Sequence, residues 1–103
     1  MIIIREKKEK LSEGVHVSLN DVLGEGNFRF IRFNCGDALT DYLPIDKSNK
    51  LARIKGDMYD VALLGRSNRK IVCFEERDIE SISWTTKSIL HIQLINSWVD
   101  LQR

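Results

Sequence analysis

The sequence predicts a mainly β protein, built as a small barrel or a strongly curved antiparallel sheet of about five to seven strands. Three observations carry this. Short segments alternate apolar and polar residues with the period of a strand. Turn residues fall between them at close spacing, as in "LGEGN" (residues 23–27) and "GRSN" (residues 65–68). The one proline, Pro44, stands in a chain without a low-complexity linker or internal repeat, so residues 1–103 read as a single domain.

The elements follow in order. "GVHVSLN" sets Val15, Val17 and Leu19 against His16, Ser18 and Asn20, the pattern of a half-buried strand. After the glycine turn, "NFRFIRFNC" starts a second strand, whose apolar phase changes between Phe30 and Ile31 and predicts a bulge there. "GDALTDYLP" ends at proline and offers Asp37 as an N-cap, which predicts a short helical turn. "LARIKG" and "MYDVALLG" read as strands around Gly56 and Asp57, and the "GRSN" turn leads from the second of them into "KIVCFEE". Beyond the bend at "ERD", Ile82 and Trp84 alternate, and "SILHIQL" places Leu90, Ile92 and Leu94 on one face. From Asn96 onward, Trp98, Val99 and Leu101 form either a short C-terminal helix or an extension of the strand.

The stretch "RKIVCFEERDIESISW", Arg69 to Trp84, is a strand, an acidic bend and a strand. It resembles the passage from the fourth to the fifth strand of SH3-like and Sm-like barrels. What that resemblance implies is architecture, and it transfers no functional residue.

Composition restricts the function classes. Lys and Arg number 16 against 15 Asp and Glu, and hydrophobic residues make up 43%, which suits a globular chain with a modest core. The opening "MIIIREKKEK" has too few apolar residues for a signal peptide or membrane span, and places its charges after them. The expectation is a soluble cytoplasmic protein with no membrane partner. Two cysteines, Cys35 and Cys73, are too few for a secreted disulfide scaffold and read as buried thiols. They do not combine with His16 and His91 at zinc-ligand spacing, and no motif makes any of them a nucleophile. No catalytic, cofactor-binding or metal site is expected.

Charge is uneven along the chain. Residues 27–70 carry nine Lys or Arg against five Asp or Glu, while both flanks are net acidic. The basic middle includes Arg29, Arg32, Arg53, Lys55, Arg66, Arg69 and Lys70. Within it "GNFRFIRF", Gly26 to Phe33, resembles the RNP1 element of RNA-binding RRM domains, with Phe28, Phe30, Ile31 and Phe33 on the matching positions. It departs from that element at Gly26, Asn27 and Arg29. The resemblance implies rings that stack on bases beside arginines that hold phosphates; the residues themselves read rather as an aromatic-rich strand that packs its phenylalanines into the core.

Two functions are therefore expected. The first is a non-enzymatic protein-binding module, a small adaptor, inhibitor or immunity-type protein, with Trp84 and Trp98 as interface anchors and a homodimer as one form of the interaction. The alternative is a single-stranded RNA- or DNA-binding protein that uses Arg29, Phe30, Arg32, Arg53, Lys55, Arg66, Arg69 and Lys70.

Overall fold

Alternation in two central strands organises the molecule. In Phe30–Cys35, Ile31, Phe33 and Cys35 turn to one side, and in Ile89–Leu94, Leu90, Ile92 and Leu94 do the same. Strands that bury one complete face must pair where that face meets a second layer. The computed structural model describes residues 4–6, 14–24, 28–36, 38–45, 49–85, 88–95 and 99–100, and arranges them in two sheets.

In chain order the strands are β1 (Ile4–Glu6), β2 (Val15–His16), β3 (Phe30–Cys35), β4 (Ala38–Thr40), β5 (Leu43–Pro44), β6 (Lys50–Arg53), β7 (Val61–Leu64), β8 (Lys70–Phe74), β9 (Ile79–Trp84), β10 (Ile89–Leu94) and β11 (Val99–Asp100). Among the described residues one α-helix, α1 (Leu19–Val22), lies between β2 and β3. The larger sheet runs β1-β4-β3-β10-β9-β2, with β5 also on β3, and the smaller runs β11-β8-β7-β6. The main core lies between them, where the Phe33 and Phe74 rings meet edge to face at 5.4 Å.

The mainly β expectation is met, with corrections of detail. The sheets are not closed into a barrel: among the described residues no backbone ladder joins a strand of the smaller sheet to one of the larger, and the chain passes between them at the 3₁₀ turn Glu76–Asp78. Nor is the larger sheet wholly antiparallel: β3 and β10 run parallel, Phe30 opposite Ile89 through Cys35 opposite Leu94. That ladder is unbroken, so the expected bulge at Phe30 and Ile31 is absent; the phase change arises because Phe28, before the strand begins, is also buried.

Where a helical turn was expected over residues 36–44, Ala38–Thr40 and Leu43–Pro44 are strand instead, and Asp37, its expected N-cap, lies outside the described residues. Gly36, at φ +57°, turns the chain so that β4 folds back on β3, and Pro44 sits in a two-residue strand that tolerates its missing N–H. Helix forms earlier, where a strand was expected. Ser18 Oγ accepts from Asp21 N–H at 3.2 Å while Asp21 Oδ2 accepts from Ser18 N–H at 2.9 Å, a capping box that diverts "SLND" from β2. The hairpins β6–β7 and β7–β8 form as read. Val99 and Asp100 pair with β8 as strand, and Trp98 lies outside the described residues. Among the described residues no helix is long and apolar enough to cross a membrane.

Candidate functional site

The face of the larger sheet turned away from the core carries side chains that packing does not explain. Alternation puts Phe30, Arg32 and Asn34 of β3 there, and the parallel register places His91 opposite Arg32. Arg32 is 4% exposed, and its Nε donates to the Thr40 carbonyl at 2.7 Å. Thr40 in turn accepts the Phe33 N–H on Oγ1 at 3.0 Å, so its side chain continues the ladder where β4 ends. The Arg32 guanidinium lies 4.3 Å from the centroid of the Tyr42 ring, within cation–π distance.

Tyr42 is the hub of this layer. Its ring meets Phe30 edge-on at 6.3 Å and His91 edge-on at 6.4 Å. Phe30 and Tyr42 remain 38% and 45% exposed, so an aromatic pair faces solvent above a cation fixed beneath it. Burial, with the Arg32 charge as a second cause, holds the His91 imidazole below the usual histidine range.

The basic middle is divided by the fold. Arg53, at the end of β6, grips both oxygens of Glu76 and donates to Asn20 Oδ1 at 2.9 Å. Asp60 completes this network by accepting the Glu76 N–H at 2.7 Å. The ion pair lowers the Glu76 pKa. Arg53 and Lys55 thus stand at an end rich in carboxylates, with Asp57, Asp60, Glu75, Glu76 and Asp78. Here Gly56–Asp60, with an exposed Met58 among them, line a shallow depression of about 280 Å³ together with Glu75 and Arg77.

Arg66, Arg69 and Lys70 lie at the opposite end, joined by Lys50 and Arg29. Lys50 and Lys70 flank Leu64 across the β6-β7-β8 ladder, and Asn49 Nδ2 donates at 3.0 Å to the carbonyl of Pro44, the partner of Phe30. The Arg29 carbonyl accepts from Ile45 N–H at 2.7 Å, which brings Arg29 to the same end. Sequence reasoning missed Lys50, whose place is decided by the β6–β7 register. It also missed Tyr42 and His91, which only the pairing of β5 and β10 with β3 brings to Arg32.

Of the other residues singled out, Phe28 and Phe33 are buried, at 1% and 0% exposed, so the stacking platform implied by the RNP1 likeness keeps only Phe30. Trp84 is half-buried at the core margin, edge-on to Phe28 at 5.7 Å. Cys35 is half-buried and Cys73 buried, neither in a disulfide, and burial pushes the Cys73 thiol pKa up. Among the described residues no three His, Cys, Asp or Glu side chains gather at metal-binding distance. Comparison of the chain with protein-family models, curated proteins and solved structures finds no match.

Proposed function

We propose that this chain is a non-enzymatic protein-binding module, an adaptor or inhibitor that acts by covering part of a partner's surface. The observation that carries the reading is the exposed Phe30–Tyr42 pair above Arg32. Aromatic residues and arginine dominate the energetic centres of interfaces, because they bury large area at low entropic cost. Here the rings are already fixed, Tyr42 against both Arg32 and His91, so little order remains to be imposed on binding. The separation of a basic end from a carboxylate-rich end gives the surface an electrical direction that orients an approaching partner.

Affinity capture from host lysate tests this with paired baits. The wild-type chain is expected to enrich a discrete protein that a Phe30→Ala/Tyr42→Ala bait loses at least tenfold, while Met58→Ala, at the other end, retains it. Equal capture by all three baits, or nothing above background with a monomer by light scattering, would contradict the reading.

A further inference from the structure

We propose that the end of the molecule formed by the β7–β8 turn is a second surface, adjoining the Phe30–Tyr42 pair through Arg29, that binds the phosphodiester backbone of a nucleic acid strand. Its cations are Arg29, Lys50, Arg66, Arg69 and Lys70. All five are exposed, and none is in an ion pair among the described residues. Arg53 and Arg77, at the far end, are both neutralised by glutamates. Among the described residues the five cations are therefore not the neutralised half of a surface ion-pair network, and they give that end an excess of positive charge.

The turn fixes two of them. Ser67 and Asn68 both adopt left-handed backbone, φ 58° and 59°, and the Arg69 N–H closes the turn on the Arg66 carbonyl at 3.2 Å. Left-handed geometry at both central positions matches the right-handed twist of the flanking strands. It costs about 1 kcal/mol or more at a serine, where glycine would cost less. The result is that Arg66 and Arg69, first and last of a tight turn, have Cα atoms within about 7 Å of each other, a separation at which one strand's neighbouring phosphates can engage both guanidinium forks. Lys50 and Lys70 follow on the strands that the turn joins, and Arg29 stands across Asn49 and Pro44.

The chemistry selects nucleic acid over an acidic protein. A protein interface needs an apolar centre that excludes water. From 66 to 70 every side chain is exposed and polar. Phosphate binding needs no such centre, since its driving force is the release of counterions. The surface makes no provision for reading bases, so binding is expected to be independent of sequence.

Fluorescence anisotropy with a labelled mixed-sequence DNA single strand, its RNA equivalent and a DNA duplex tests this, titrated from about 20 to about 150 mM salt. For five phosphate contacts the logarithm of affinity should fall with that of salt at a slope near −3.5 on single strands. Arg66→Glu/Arg69→Glu should weaken binding at least tenfold and flatten the slope by more than one, whereas Lys55→Glu, at the opposite end, should leave both within twofold. Circular dichroism spectra that match the wild type establish that the variants fold. No binding at the lowest salt, equal losses in both variants, or polyglutamate competing as well as DNA at equal charge would overturn the proposal. Preference among the three nucleic acids identifies which strand supplies the phosphates.

Discussion

His91 sits where a second positive charge is least tolerated. It is 5% exposed, opposite Arg32 on β3 and Ser83 on β9, with the Tyr42 ring above it. Its folded-state pKa lies below the ordinary histidine value of about 6.5. Above that value both folded and unfolded chains hold neutral imidazole and this residue adds no pH dependence. As pH falls through it the unfolded chain protonates first, so stability declines until the folded pKa is reached. Urea unfolding from about pH 7.5 to about pH 5.5 should show this decline, at no more than about 1.4 kcal/mol per pH unit from this group. His91→Gln should remove it. An unchanged slope in the variant would mean that the imidazole is solvated. None of this was legible in the sequence, where His91 is one polar residue between Leu90 and Ile92; it depends on a parallel partner nearly sixty residues away by number.

At the scale of elements, what the sequence conveyed was periodicity and what it withheld was local competition. Leu90, Ile92 and Leu94 were read correctly as one face, because nothing in "SILHIQL" opposes the strand pattern. "GVHVSLN" misled because Ser18 and Asp21 cap each other, and a capping box wins over two further residues of alternation. "GDALTDYLP" misled in the other direction: Asp37 has the chemistry of a cap, yet Ala38–Thr40 is claimed by backbone pairing with β1 and β3. The two-residue β2 depends on a close approach. A Cβ on Gly14 would stand 2.6 Å from the Trp84 carbonyl oxygen, a contact that backbone movement alone can relieve. Gly14→Ala should therefore lift β2 from β9 and cost about 1–3 kcal/mol in chemical denaturation, with increased exposure of Trp84 in a Trp98→Phe background. A variant as stable as the parent would show that β2 does not dock there.

Over the whole molecule, both proposals rest on how two sheets distribute a near-neutral charge. The formal net charge is +1, yet among the described residues five cations outside any ion pair stand at one end and a carboxylate-rich network at the other, while an aromatic layer faces outward from the larger sheet. The excess of basic residues in the middle of the chain was legible by counting. Its division was not, because β6 runs from one end to the other and carries Lys50 and Arg53 to opposite poles. The aromatic signal was legible as "FRFIRF", but alternation and core packing leave only Phe30 of its three phenylalanines exposed and supply Tyr42 as its neighbour. The proposed function places the docking of a protein partner on this outward layer. Site-specific photo-crosslinking in host cells tests it most directly, with Tyr42 replaced by p-benzoylphenylalanine in one strain and Met58 in another. One discrete protein adduct is expected from position 42 and none from position 58; no adduct at 42, or the same adduct from both, would overturn the proposed docking.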